Sequence, residues 1–286
     1  MNHRVFDLVR PRAQSTSVVF SSPHSGRDYR PEFVMRTVLD PLALRSSEDA
    51  FVDRLLADAP AVGAPLFCAR TPRAWVDFNR CSQELDPALI AGLPRLPLTP
   101  RISAGLGVVP RVVANGQAIY RGRLARDEAE ARIAAAWHPY HRALHWVLEE
   151  TAVRFGTAIL IDCHSMPHEA IEAGPRSGGV RPDVVLGDRF GASADPAIVD
   201  AVEAAFHRAG LRVARNAPFA GAYITEHYGR PAQGWHVVQV EIDRALYMDE
   251  RRIAPSLRFE PFRQLMRGIV AEIAALGATD LSLAAE

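Results

Sequence analysis

The sequence contains few cysteines, and none of them are paired in a metal-binding or redox spacing. Its three cysteines, Cys68, Cys81 and Cys163, are scattered through 286 residues, and no Cys-x-x-Cys motif occurs. An odd, dispersed set of this kind excludes a zinc knuckle and gives no disulfide framework. It favours reduced thiols and therefore predicts a cytoplasmic protein.

The chain also lacks an excess of charge of either sign and any long apolar run. It has 33 basic and 33 acidic side chains, and hence a formal net charge of zero. This balance gives no electrostatic footprint for nucleic acid or an anionic membrane. No segment approaches the roughly 18 uninterrupted apolar residues of a spanning helix, and the N-terminal segment has no apolar core typical of a signal peptide. We therefore expect no nucleic-acid partner and no membrane association.

Two segments contain residues that are common in binding sites, but the residues around them do not support that function. The glycine-containing segment 176–179 follows no predicted strand and opens no clear helix, so a phosphate-binding loop is not expected there. His138 and His141 could share a helix face, but Pro139 disturbs that helix and aromatic residues surround both histidines. We interpret these histidines as packing residues rather than as metal ligands.

Apolar segments with two different periodicities alternate along the chain and predict an α/β fold. Hydrophobic residues make up 48% of the chain, and several apolar runs lack alternation, as expected for strands covered on both faces of a sheet. Strands are predicted at 17–22, 65–70, 75–78, 157–164, 183–188, 211–215 and 236–243. Helices are predicted at 48–59, 123–155 with a break at Pro139, 195–209 and 261–276, and loops at 93–120 and 172–182. The pattern predicts one domain over residues 1–286.

Polar residues that suit metal binding follow three of the predicted strands. The first strand runs into His24, and two later strands end on or near His164 and Glu241. Ligands of open α/β sheets bind beyond the carboxyl ends of the strands, so parallel neighbours would bring these side chains into one crevice. Two imidazoles and a carboxylate bind zinc and leave a fourth position open for water. The alternatives are an exposed turn histidine at His24 and a core histidine at His164, bonded to Asp162 or Ser165.

Two further polar segments contain candidates for the carboxylate ligand and for contacts to a substrate. Glu48 and Asp49 begin a predicted helix, where the helix dipole favours acidic residues whether or not they bind metal. Asp77, Asn79 and Arg80 form a polar segment after a strand-like Trp-Val pair. The planar guanidinium of Arg80 suits a substrate carboxylate. An ordinary ion pair at a sheet edge is the alternative interpretation of this segment.

Taken together, these segments resemble the N-formylglutamate amidohydrolase family. The matching segments occur in the family's order over roughly residues 17–250. They are SSPHSGRDY, SSEDAFVDRL, DFNR, AIYRGRL, WHPYHRAL, IDCHSM, NAPFAGAYITEHYG and VVQVEIDRALYMDE. The family looks like a distant relative of zinc carboxypeptidases and aspartoacylases. The resemblance therefore implies a three-layer α/β/α fold around a mixed central sheet, with a zinc-type site.

The resemblance also implies a ligand set for one divalent metal ion, with zinc as the first candidate. His24 and His164 match the two histidine ligands. The related peptidases place their glutamate ligand three residues after the first histidine, where this chain has Arg27. Because of that departure, we take Asp49 as the acidic ligand and keep Glu48 as the alternative.

Roles in catalysis and substrate binding follow from the same resemblance. Asp77 would orient a ligand histidine. Asn79 and Arg80 match the pair that grips the substrate carboxylate, which makes Arg80 both a binding and a catalytic residue. Glu241 matches the catalytic glutamate. Further arginines could hold a second carboxylate or the oxyanion, and the candidates are Arg121 and Arg123.

The function implied is hydrolysis of N-formyl-L-glutamate to formate and glutamate, a step of histidine degradation. The metal would polarise the formyl oxygen, and Glu241 would act as the general base. One rival is the same chemistry on another N-acyl amino acid or a small peptide. The other is a metal-binding or small-molecule-binding protein without turnover, which would not need a base such as Glu241. The expected partner is a small-molecule substrate, and no oligomeric state is predicted.

Overall fold

The chain folds around one mixed β-sheet within residues 4–94, 98–172 and 181–278, the part that the computed structural model describes. The strands are β1 Phe6–Val9, β2 Val18–Ser22, β3 Leu66–Ala69, β4 Ala158–Met166, β5 Val184–Gly187, β6 Val213–Arg215 and β7 Trp235–Asp243. Their order in the sheet is β1-β3-β2-β4-β7-β5-β6. Strands β2, β3, β4 and β7 are parallel, whereas β1 and β5 run antiparallel to their neighbours β3 and β7. The carboxyl ends of β2, β4 and β7 therefore meet at one edge.

Helices cover both faces of the sheet. They are α1 Pro31–Val34, α2 Pro41–Arg45, α3 Val52–Leu55, α4 Pro100–Ser103, α5 Arg126–Arg132, α6 His138–Phe155, α7 His168–Glu172, α8 Pro196–Arg208, α9 Tyr223–Tyr228 and α10 Phe259–Ala275. A small hairpin of β8 Met248–Asp249 and β9 Ala254–Pro255 lies outside the sheet. None of the described helices is long and apolar enough to cross a membrane.

The two larger hydrophobic cores of the described residues lie on opposite faces of the sheet, because side chains alternate along each strand. Val18 and Phe20 of β2 point into the core that contains residues of α3, α8 and α10. Val19 points the other way, into the core that contains residues of α5, α6 and α9. A mixed sheet between two layers of helices confirms the predicted three-layer α/β/α fold.

The predicted strand at 75–78 is wrong, because this segment forms turns. The backbone N–H of Asp77 donates to the carbonyl of Val108, and its carboxylate accepts from the backbone N–H of Asn79. Such local side-chain bonds replace the ladder bonds of a strand. All the other predicted strands occur, and β1 is an additional antiparallel edge strand.

The predicted helix at 48–59 is wrong in extent, since only α3 forms there. The backbone N–H of Asp49 donates to the carbonyl of His24, and Phe51 has φ 68°, in the left-handed region. A left-handed residue cannot continue a helix, so Glu48 and Asp49 lie in a turn before α3. This turn leaves Asp49 free to face the sheet edge.

The predicted helix at 123–155 occurs as α5 and α6, joined by the π-helical turn Ile133–Trp137. Pro139 lies just after this turn in a continuous run of helical backbone, where its missing N–H leaves out one helical hydrogen bond. The break predicted at this proline is therefore a local change of winding. The other predicted helices correspond to α8 and α10. The predicted loop at 172–182 and the segment 176–179 lie mostly or wholly outside the described residues.

Candidate active site

A cavity of about 690 Å³ opens at the sheet edge where β2, β4 and β7 end. His24 follows β2, and His164 lies near the end of β4. Glu241 on β7 is the direct register partner of His164. Side chains from three strands therefore meet in one cavity, and all three are buried.

His24, Asp49 and His164 form a triad that brings three possible ligand atoms together in this cavity. The two Nδ1 atoms of the histidines are 3.1 Å apart, and Oδ2 of Asp49 is 3.0 Å from His164 Nδ1 and 3.4 Å from His24 Nδ1. These three residues are also the single His/Cys/Asp/Glu group among the described residues whose geometry suits a metal ion. Nitrogen and carboxylate donors of this kind suit zinc.

Two carboxylates on the far side of the rings orient the histidines. His24 Nε2 lies 2.7 Å from Asp77 Oδ1, and His164 Nε2 lies 3.0 Å from Asp162 Oδ2. A carboxylate partner assigns the ring proton to Nε2 and leaves the Nδ1 lone pair toward the centre of the triad. Two such lone pairs and a carboxylate oxygen, close together and buried, repel one another unless a metal ion or protons on Nδ1 lie between them. The donor set therefore fits a divalent metal ion.

Asp49, rather than Glu48, occupies the acidic position of the triad. Glu48 is also buried, but both of its oxygens accept from Arg45. The second oxygen of Asp49, Oδ1, accepts from Arg244 Nη2 at 3.0 Å. Burial opposes ionisation of Asp49, but hydrogen bonds and charge from the two histidines outweigh it and hold its pKa well below the usual range. Asp49 is therefore available as an anionic ligand.

Glu241 lies beside the triad without belonging to it. Gln239 Nε2 donates to Glu241 Oε1 at 2.9 Å. Burial, partly offset by the charge of His164, raises the pKa of Glu241 to about 7, a value suited to proton transfer near neutral pH. Arg244, three residues further along the chain, bonds Asp49, Ser165 and the carbonyl of Ser46, and no hydrogen bond joins it to Glu241 among the described residues.

Comparisons with known proteins identify the family of the chain. The sequence profile of the N-formylglutamate amidohydrolase family matches residues 16–248. The chain belongs to the N-formylglutamate amidohydrolase family. It is 32% identical over 263 residues, 90% of each chain, to N-formylglutamate deformylase of Pseudomonas aeruginosa. Identity to N-formylglutamate deformylase of Pseudomonas putida is 29% over 240 residues, 82% of each chain.

A solved structure extends the match to three dimensions. The crystal structure of N-formylglutamate amidohydrolase from Ralstonia eutropha JMP134 superposes with a TM-score of 0.88 at 35% identity, covering 96% of this chain and 98% of that chain. Gene product Atu2144 from Agrobacterium tumefaciens, at 20% identity and a TM-score of 0.53, shares the fold. As a member of this amidohydrolase family, the chain is a hydrolase that acts on an amide bond.

In this amidohydrolase, the cationic wall of the cavity differs in part from the prediction. Arg80 lines the cavity, with its Nε and Nη1 donating to the carbonyls of Leu106 and Asn79. No salt bridge reaches Arg80 from the described residues. The cavity also receives Arg73, which pairs with Asp77, and Arg101, which has no ion pair among the described residues. Sequence reasoning missed Arg73 and Arg101.

The predicted second arginine does not lie in the cavity. Arg121 is exposed and is absent from the cavity lining. Arg123 donates to the carbonyls of Pro87 and Ile90, so its guanidinium stabilises the segment 87–90. The spacing of Arg73, four residues before Asp77, was the available signal for a cation beside the site.

The side chain of Asn79 lines the cavity but is engaged by the protein. Its Oδ1 accepts from the backbone N–H of Ile224 at 2.8 Å, and its Nδ2 lies 3.4 Å from Gln239 Oε1 and 3.3 Å from His164 Nε2. The contacts to Ile224 and Gln239 tie Asn79 to α9 and β7 beside the triad. Asn79 therefore fixes the geometry of the site even before any substrate binds.

His141 and Trp137 of the WHPYH segment form hydrogen bonds to the backbone of the segment that carries Asn79 and Arg80. His141 Nε2 contacts the carbonyl of Phe78, its Nδ1 contacts the hydroxyl of Tyr228, and its burial lowers its pKa to about 3. Trp137 Nε1 donates to the carbonyl of Arg80. Both ring nitrogens of His141 are thus occupied, as expected for a packing residue rather than a metal ligand.

Proposed function

We propose that this hydrolase cleaves the N-formyl bond of N-formyl-L-glutamate, or the acyl bond of a closely similar N-acyl acidic amino acid. The products are formate and glutamate. The observation that carries the proposal is the convergence of His24, Asp49 and His164 with Glu241 in a cavity that also holds Arg80, an arginine that no salt bridge reaches within the described residues. The two Pseudomonas relatives named N-formylglutamate deformylase support the choice of substrate.

His24, His164 and Asp49 would hold one divalent ion, with zinc as the first candidate. When bound, such an ion acts as a Lewis acid that polarises the scissile carbonyl and makes water a better nucleophile. Asp77 and Asp162 keep the protons of the two rings on Nε2, so that both Nδ1 atoms face the ion. The protein thus contributes a preorganised set of donors.

Glu241 is the general base in this proposal. Its carboxylate accepts a proton from the attacking water and returns it to the leaving amine nitrogen as the carbon–nitrogen bond breaks. Gln239 holds one oxygen of the carboxylate, and the other is free of hydrogen bonds within the described residues. Burial raises the pKa of this carboxylate and makes it a stronger base than a solvated glutamate.

Arg80 and Asn79 form the substrate-binding wall. Arg80 carries a buried charge that is not neutralised by a salt bridge in the described part of the chain, and this charge suits a carboxylate of the substrate. Its position is set by two backbone carbonyls. Arg101 lines the cavity and has no ion pair among the described residues, so the second substrate carboxylate is assigned to it; Arg121 lies outside the lining.

The test combines metal analysis with a substrate screen. Purified protein is assayed for bound metal and then for release of free amine from N-formyl-glutamate, N-formyl-aspartate, N-acetyl-glutamate and N-formyl-leucine. We expect one bound divalent ion per chain and turnover that is fastest with N-formyl-glutamate. Bound metal without amine release from any substrate would favour a binding protein, and preference for N-formyl-leucine would remove the acidic substrate.

A further inference from the structure

Gln239 is a buried polar residue of the cavity whose position is tied to Glu241. It lies on β7, two residues before Glu241, so both side chains project from the same side of the strand. Only 3% of Gln239 is exposed, and it lines the same cavity. A polar amide buried this deeply has to be matched by specific partners.

The partners of Gln239 fix the orientation of its amide group. Its Oε1 accepts from the backbone N–H of Ala222 at 3.2 Å and faces Asn79 Nδ2 at 3.4 Å. A backbone N–H can only donate, so the oxygen of the amide must face Ala222. The NH₂ group then faces Glu241 and donates to its Oε1 at 2.9 Å.

We propose that Gln239 is a positioning residue for Glu241, an inference that rests on the proposed role of Glu241 as the general base. The hydrogen bond from Gln239 holds Oε1 and thereby fixes the rotamer of the carboxylate. Oε2 makes no hydrogen bond among the described residues and is the oxygen that accepts the proton from water. Ala222, at the start of α9, acts through Gln239 by locking the amide.

Two substitutions separate this role from a structural one. Gln239→Glu keeps an acceptor for the Ala222 N–H but replaces the donor to Glu241. Gln239→Met keeps the approximate size and removes both hydrogen bonds. A purely structural role predicts that kcat falls only as far as the folded, metal-loaded fraction of each variant falls. A positioning role predicts that kcat falls in both variants, roughly 10- to 100-fold for the loss of one hydrogen bond to a charged group, with a smaller change in KM.

A double-mutant cycle with Glu241→Gln links the effect to the base. Glu241→Gln alone should lower kcat sharply. Adding Gln239→Met to that variant should then change kcat by less than about twofold, because residues acting through one another are not additive. Equal, additive losses in the two backgrounds would overturn the inference. A wild-type kcat in both Gln239 single variants would do so as well.

The remaining measurements distinguish this inference from the proposed function. If Glu241→Gln alone keeps wild-type kcat, the base role fails, and the positioning role fails with it. Bound metal is measured in every variant, because loss of metal on changing Gln239 would place its effect at His164 and would also overturn the inference. The matched control is Gln233→Met, an exposed glutamine just before β7, which should leave kcat, KM and metal content unchanged.

Discussion

The Nδ1 atoms of His24 and His164 lie 3.1 Å apart, although 140 positions of sequence separate the two residues. The parallel pairing of β2 with β4 brings them together, since both histidines come at or just beyond the carboxyl ends of these strands. In each ring, Nε2 forms a hydrogen bond to a carboxylate, Asp77 for His24 and Asp162 for His164. The Nδ1 atom of each ring faces the Nδ1 atom of the other. This arrangement motivates the first two predictions.

Hydrolysis is expected to depend on metal held by the triad. Chelation should abolish activity, and added zinc or another divalent ion should restore it. Asp49→Asn should lose bound metal, because the neutral amide is a poor ligand, whereas Glu48→Gln should retain it, since Glu48 pairs with Arg45. Metal content and activity are measured together. Full activity in metal-free protein, or loss of metal only in Glu48→Gln, would contradict this assignment.

Asp162 is expected to strengthen metal binding without touching the metal. It accepts from His164 Nε2 and from the hydroxyl of Ser21. Asp162→Asn should weaken metal affinity by about 10- to 100-fold, the usual effect of removing a carboxylate behind a ligand histidine. Metal competition with a chromophoric chelator measures this. Unchanged affinity would make Asp162 a packing residue only.

Glu241→Gln should separate catalysis from binding. The amide keeps the size of the side chain but cannot accept the proton. The variant should fold and bind metal normally while kcat falls by about 10²–10⁴, the contribution of a positioned acid–base group. Steady-state kinetics and metal analysis test both parts. Loss of metal in this variant would instead make Glu241 a ligand.

Arg80→Lys should weaken substrate binding more than it slows the chemistry. Lysine keeps the charge but loses the planar donors that meet the carbonyls of Leu106 and Asn79. KM should rise roughly 10-fold, the cost of one charge-assisted hydrogen bond. The matched control is Arg121→Lys, on an exposed residue outside the cavity lining. Equal effects of the two substitutions would argue against Arg80 as the carboxylate-binding residue.

His141 should make the protein less stable in acid. Its pKa is lowered to about 3 by burial in the folded state, against about 6.5 in the unfolded chain. Between these two values the unfolded chain binds a proton that the folded state does not. The free energy of unfolding should therefore fall by roughly 1.4 kcal/mol per pH unit as pH drops through this window.

Urea unfolding between pH 7 and pH 4 tests this prediction. His141→Gln removes the titrating group, so its stability should depend less steeply on pH than that of the wild type. His138→Gln, at an exposed position three residues earlier, is the control and should keep the wild-type slope. Identical slopes for wild type and His141→Gln would show that other groups govern acid unfolding.

The sequence by itself determined the layered α/β fold and most of the candidate metal-binding residues. Apolar runs that stop at polar residues mark buried strands, because a two-sided sheet leaves no polar positions until the strand ends. His24, His164 and Glu241 follow from that local pattern, and sequence reasoning placed them near one edge. The helix periodicity of α8 and α10 is local in the same way.

Only the tertiary structure decided which of two similar side chains lies in the candidate active site. Glu48 and Asp49 are adjacent and chemically similar, and they are separated by long-range contacts. Arg45 holds Glu48, whereas the carbonyl of His24 and the guanidinium of Arg244 hold Asp49. Arg101 and Arg121 are both exposed, but Arg101 lies in the lining of the cavity and Arg121 lies outside it. Such choices depend on how distant segments pack, and no periodicity encodes them.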